Sequence, residues 1–236
     1  MPLRPFPFRL AMPMLLLGAL TAGCTSPDRQ TAPAPEAPFA ANVADPVFDG
    51  TAQAIDAAAL ASMGTSWRPG CPVARHDLRV LRMPHWGFDG TVQRGEMIVH
   101  ESQAHNVLAA FAAIFDARFP IATMVIANGY IGDDPARAQQ NATSAFNCRK
   151  AVGSAALSQH AYGLAVDINP VQNPRISTTG GIIPPGGEAY TDRTLDRPGM
   201  IQAGDAVVKA FEAIGWTWGG TYRRSKDYHH FSLNGR

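Results

Sequence analysis

The sequence predicts an α+β domain, a small antiparallel sheet flanked by helices, carried behind an N-terminal segment that is no part of the fold. Three observations lead there. Stretches with helical apolar spacing and stretches that alternate with period two share one region without a regular βαβ rhythm. Gly/Pro punctuation such as TTGGIIPPGGEAY cuts the chain into short elements. What remains after the N-terminal segment has the size of one domain.

Residues 1–23 have the layout of a secretory signal: Arg4 and Arg9, an apolar run from Leu10 to Leu20, then small residues before Cys24. The run is too short to span a bilayer comfortably. TAGC preceded by Leu20 has the form of a bacterial lipoprotein processing site, so Cys24 is expected to carry lipid and anchor the protein to a membrane. Plain secretion is the alternative, because Thr21 is an unusual residue at such a site. Residues 24–47, with TSPDRQTAPAPEAPFAANVADP, hold too few large apolar residues to bury a core and read as an extended tether. The folded part is expected to span residues 48–236, on the periplasmic side of a bacterial envelope. Cys71 and Cys148 remain as a pair, and in an oxidising compartment they are expected to form a disulfide. Neither lies in a CxxC or CxxH spacing, which argues against a zinc site of their own.

The elements follow in order. GEMIVHESQAHNVLAAFAAIFDARFP places Val99, Val107, Leu108, Phe111, Ile114 and Phe115 at helical spacing and predicts a helix ending at Pro120. IATMVIANGY predicts a strand with an Asn128-Gly129 turn, and Asp133–Cys148 a polar surface loop. LAVDINP alternates: Leu164, Val166 and Ile168 lie on one face, Ala165, Asp167 and Asn169 on the other. Ala203 to Ile214 predicts a short amphipathic helix closed by Gly215, and YHHFSLN a last strand.

The formal net charge of +1 gives no support for nucleic-acid binding, which needs a clustered basic surplus. Most of the seven histidines read as ordinary. In HESQAH the rings of His100 and His105 are five residues apart, about 140° around a helix, so they cannot serve one metal and read as a helix face. His85 and Trp86 read as packing residues in an aromatic turn. The stretch SQHAYGLAVDINP is different. His160 and Asp167 converge on a segment whose Gly163 and Ala165 keep the wall small. A carboxylate there is costly unless it is paired or bound to metal. In YHHFSLN, parity puts His229 with the apolar Phe231 and Leu233, and His230 with Ser232. Two readings stay open on spacing alone: satisfied polar residues in a strand, or His160, Asp167 and His230 as a three-ligand site open to water, with Asp227 as general base.

Ser158-x-His160-x-x-Gly163-x-Ala165-x-Asp167, followed downstream by Asp227-x-x-His230, resembles the motif pair of the D-Ala-D-Ala carboxypeptidase family of zinc peptidases. That family includes vancomycin-resistance D,D-carboxypeptidases and phage L-alanyl-D-glutamate endopeptidases, and shares its fold with the hedgehog signalling domain. The resemblance runs from about Cys71 through FNCR and the WGG of Trp218 to Gly220. It implies one Zn2+ on His160, Asp167 and His230. It makes Asp227 the general base and later the proton donor to the leaving amine. Arg149 matches the substrate-side arginine, suited to polarising a carbonyl or holding a carboxylate. Ser158 is a hydrogen-bonding group beside the site or a turn cap. His229 stands where phage-type members have proline, and Ser232 where they have glutamate. The implied activity is hydrolysis of peptidoglycan stem peptides, as a carboxypeptidase or an endopeptidase. The alternative is a non-catalytic zinc-stabilised domain that binds the cell wall or a partner.

Overall fold

The computed structural model describes residues 45–128 and 141–235. Cys24, the signal and most of the tether lie outside those residues, as do Gly129 and the 133–140 part of the expected loop. Among the described residues no helix is long and apolar enough to cross a membrane.

The longest ladder is one the sequence reading did not place. Strands β1 (Thr51–Ala54), β2 (Leu78–Trp86) and β3 (Val92–His100) form an antiparallel sheet in that order. Alternation along β2 and β3 feeds two cores. Leu81, Met83, Met97 and Val99 face one cluster, while Leu78, Val80 and Ile98 face the other, with Val80 opposite Ile98 and Leu81 opposite Met97. Both faces of the ladder are therefore buried where Leu78, Val80 and Leu81 meet Met97, Ile98 and Val99, while Val92, Gln93 and Arg94 at the other end are exposed. α1 (Ala57–Met63) covers the second face with Ala59 and Met63, its start capped by the carboxylate of Asp56, which accepts from the Ala59 N–H at 2.8 Å.

α2 (Ala104–Asp116) packs Val107, Ala110, Phe111 and Ile114 into the first cluster. It starts later than the spacing predicts. The residues from Gly95 to His100 belong to β3, because pairing with β2 takes their backbone groups. His100 therefore ends a strand and His105 opens a helix, so HESQAH is not one helix face. His85 and Trp86 likewise end β2 rather than forming a turn, and Trp86 stacks on Phe115 at 5.5 Å.

The expected strand in IATMVIANGY shrinks to β4 (Thr123–Met124), paired in parallel with β5 (Ala142–Thr143). Two further three-stranded antiparallel sheets follow. One has β6 (Ala165–Asp167), β9 (Thr217–Trp218) and β11 (His230–Ser232) in the order β6-β11-β9. The other has β7 (Arg175–Ile176), β8 (Ile182–Ile183) and β10 (Lys226–Asp227) in the order β10-β7-β8. α3 (Ala206–Ala213) is N-capped by Asp205, and Gly215 follows it at φ +79°. Its Phe211 stacks on Phe231 of β11 with ring centroids 4.3 Å apart. The class is α+β, built from several small sheets rather than one.

Two devices hold the loops. Cys71 and Cys148 form a disulfide across 77 residues of sequence. The Arg193 guanidinium donates to the carbonyls of Gln172, Tyr190 and Ile201 and to Asn173 Oδ1, gathering the 172–201 segment around one cation.

Candidate active site

The site begins with a short turn. Residues Gln159–Tyr162 form a single 3-10 turn entered from Ser158, whose hydroxyl accepts the His160 N–H at 3.3 Å. Gly163 ends it at φ +67°, a left-handed conformation that costs glycine nothing. The Gly163 carbonyl accepts the His100 N–H at 2.9 Å, which docks the turn on the end of β3. A Cβ at Gly163 would lie 2.5 Å from His100 N. The small residue thus makes room for β3, not for a metal, which corrects the sequence reading. Ser158 lines the cleft, but its hydroxyl serves the turn that carries His160.

The buried His160 ring is fixed from behind. Its Nδ1 lies 2.6 Å from the Ala145 carbonyl, so Nδ1 carries the proton and Nε2 presents a lone pair to the site. Antiparallel pairing then brings in the other two groups. β11 runs beside β6 with His230 directly opposite Asp167 and Phe231 opposite Val166. His230 Nδ1 lies 3.0 Å from Asp167 Oδ1 and 3.3 Å from His160 Nε2, and His160 Nε2 lies 3.1 Å from Asp167 Oδ2. One donor atom from each of His160, Asp167 and His230 thus falls within 4.8 Å of the other two. Two imidazole nitrogens and one carboxylate oxygen are the donor types that catalytic zinc takes, with a fourth position left for water. The residues present fit such an ion.

Tyr228 and His229 form a turn between β10 and β11, and this changes the role of His229. Parity over YHHFSLN assumes a continuous strand, but the strand starts only at His230. His229 is therefore turned into the site rather than to an apolar face. Its Nδ1 lies 2.7 Å from the Asn173 carbonyl, and its Nε2 lies 3.0 Å from Asp227 Oδ1 and 3.9 Å from Asp167 Oδ2. Burial opposes a charge on this ring, yet the carboxylates of Asp227 and Asp167 outweigh it and raise the imidazole to about 9. Burial likewise opposes ionisation of both carboxyls. The rings of His160 and His229 nevertheless hold Asp167 well below the usual carboxylate range, and the ring of His229 lowers Asp227. Burial lowers His160 despite Asp167 beside it, which keeps that ring neutral and able to act as a ligand.

These groups open onto a cleft of about 580 Å³. Arg149 lines it, one residue after the disulfide-bonded Cys148. Arg175, a residue the sequence reading missed, also lines the cleft, its Nε 3.7 Å from Asp227 Oδ2. Val152, Leu157 and Ile183 supply exposed apolar surface around it. Tyr222, whose phenol is pushed up to about 12 by burial, stands with its ring 6.4 Å from that of His230.

Asn169 was read as an extension of β6, but it has φ +45° and leaves the strand. Its amide accepts from the Ala122 N–H at 3.0 Å and donates to the Pro120 and Gly199 carbonyls. It clamps the loops behind the site.

No curated protein and no solved structure matches the chain. Residues 152–233 match the family model described as D-alanyl-D-alanine carboxypeptidase. That segment holds His160, Asp167, Arg175, Asp227, His229 and His230, and it is similar to this peptidase family over about a third of the chain.

Proposed function

We propose that the protein is a zinc-dependent peptidase that hydrolyses peptide bonds in peptidoglycan stem peptides. The observation that carries this reading is the convergence of donor atoms from His160, Asp167 and His230 within 4.8 Å, beside Asp227 in an open cleft. A zinc ion held by those three residues would lower the pKa of a water toward ~7 and polarise the scissile carbonyl. Asp227, ionised and held by His229, takes the proton from the attacking water and passes it to the leaving amine. Arg149 offers a fixed guanidinium for charge developing on the carbonyl oxygen, or for a substrate carboxylate. The presence of Asp227 and Arg149 at the cleft favours catalysis over a purely binding role for the same scaffold. The fold proposed is that of the D,D-peptidases and the hedgehog domain. We further propose that residues 1–23 are a signal peptide, that Cys24 is lipidated, and that the tether of residues 24–47 holds the 48–236 domain on the periplasmic side beside its polymer.

Zinc content and the fragments released from purified peptidoglycan, both read by mass spectrometry, test the assignment. His160→Ala is expected to lose metal and hydrolysis together. Asp227→Ala is expected to keep the metal and lose about 10²–10⁴ in rate. Full zinc occupancy in the first variant overturns the ligand set, and undiminished hydrolysis in the second overturns the base.

A further inference from the structure

We infer that Arg193 is a positioning residue for the proposed base: it fixes Asn173, whose backbone carbonyl aims His229 at Asp227. The inference rests on the hydrolytic reading above and adds the support that keeps the base in place. On the site side the path has two links. The Asn173 carbonyl accepts from His229 Nδ1 at 2.7 Å, and His229 Nε2 lies 3.0 Å from Asp227 Oδ1.

Asn173 lies in the bend between β6 and β7, flanked by Pro170 and Pro174, where no strand ladder takes its carbonyl. Its backbone N–H reaches the Asn169 carbonyl, and the rest of its orientation is set by the side chain, which is fully buried. Asn173 Nδ2 donates to the Gly199 carbonyl at 2.8 Å and to the Ile168 carbonyl at 3.2 Å. Asn173 Oδ1 accepts the Ile201 N–H at 2.7 Å and Arg193 Nη2 at 3.1 Å. The same Nη2 donates to the Ile201 carbonyl at 2.6 Å, which closes a ring of three hydrogen bonds through Arg193, Asn173 and Ile201.

The Arg193 guanidinium is half-buried, and among the described residues no carboxylate forms an ion pair with it. A cation taken from water without a counter-charge is stable only where oxygens surround it. Here Nη1 donates to the Gln172 and Tyr190 carbonyls while Nη2 serves Asn173 and Ile201. A planar fork meets four oxygens at once, which neither glutamine nor lysine can do. The guanidinium carbon also lies 4.4 Å from the centre of the Tyr228 ring, one residue before His229. Arg193 thus steadies His229 from two sides: the carbonyl that takes its Nδ1, and the ring of its neighbour. Without Arg193, Asn173 keeps its bonds to Ile201, Gly199 and Ile168, so the expected result is a loosened carbonyl and not an unfolded chain.

The zinc-loaded protein is assayed on the soluble stem peptide L-Ala-γ-D-Glu-L-Lys-D-Ala-D-Ala, with fragments read by mass spectrometry. Arg193→Gln is expected to lower kcat about 10-fold, with KM and zinc content within about twofold of wild type. In a His229→Gln background the same substitution should cost nothing further, because the path it supports is already cut. Arg193→Lys keeps the charge but not the fork and should fall between; it carries the same cycle if the glutamine variant fails to fold. Arg197→Gln is the control. Its guanidinium holds the Ala189 carbonyl of the same segment at 3.0 Å and makes no hydrogen bond to Asn173, so kcat should stay at the wild-type value. Unchanged kcat in Arg193→Gln, an equal fractional loss with and without His229, or an equal loss in Arg197→Gln overturns the inference.

Nitrogen NMR of histidine-labelled protein reads the same link without hydrolysis. The His229 Nδ1–H signal, identified by its absence from His229→Gln, should exchange with water at least about 10-fold faster in Arg193→Gln. That change in a protein that cleaves no bond refutes the peptidase reading and upholds the positioning role. Cleavage with the signal unmoved does the reverse.

Discussion

Replacing Gly163 by alanine distinguishes two reasons for a glycine at this position. The backbone there has φ +67°, and a left-handed conformation costs an alanine about 1–2 kcal/mol. The added Cβ would also lie 2.5 Å from His100 N and 3.1 Å from Val99 C. Those are backbone atoms of a strand paired along its length, so they cannot swing aside as a side-chain tip would. Relief requires the turn to lift from β3, at a further cost of about 1–3 kcal/mol. The expected loss is thus about 2–5 kcal/mol, read by urea unfolding through Trp216 and Trp218 fluorescence, with a fall in Tm of roughly 5–15 °C. Gly204→Ala is the control, because Gly204 has φ +75° but nothing within 4 Å of the added atom. It should show only the conformational part, about 1–2 kcal/mol. If the two variants are equally destabilised, the contact with β3 is unimportant and the argument fails. It fails more directly if Gly163→Ala leaves stability intact while weakening zinc binding, since the glycine would then be making space for the ion.

Three other outcomes are expected. Replacing Cys71 and Cys148 together by serine removes a 77-residue cross-link and should cost about 2–5 kcal/mol by denaturant unfolding. Asn169→Ala should destabilise by about 3–5 kcal/mol, because it strips partners from the Ala122 N–H and from the Pro120 and Gly199 carbonyls; a change below 1 kcal/mol would show that water replaces the amide. His229→Gln should leave zinc content unchanged while lowering kcat about 10- to 100-fold, since Asp227 loses the ring that holds it. Unchanged kcat would show that Asp227 needs no such support.

The sequence made the site more legible than the scaffold. His160, Asp167 and His230 could be singled out because a histidine and a carboxylate on a small-residue strand need an explanation, and a second strand offered a partner. The register that puts His230 opposite Asp167 follows from the same alternation. His229 escaped because parity holds only inside a strand, and the chain turns at Tyr228 and His229. Arg175 escaped because its two-residue strand is too short to show a period. The β2–β3 ladder escaped for another reason: where Leu78–Leu81 meet Met97–Val99 it is buried on both faces, so those residues do not alternate between apolar and polar. The same burial hid the start of α2, since Val99 suits a helical spacing as well as it suits a strand. Asn169 shows the converse, a residue at the right parity whose positive φ takes it out of the strand.

β11 is three residues long, and it ties the chemistry to the hydrophobic interior at adjacent positions. His230 faces Asp167, while Phe231 is fully buried and stacked on Phe211. A slip of one residue along β6 would exchange the two, placing a phenyl ring among the donor atoms and an imidazole in the core. The aromatic stack is thus the ratchet that indexes His230. Substitutions at Phe211, remote in sequence from every donor, should register as changes in metal affinity before they register as loss of the fold.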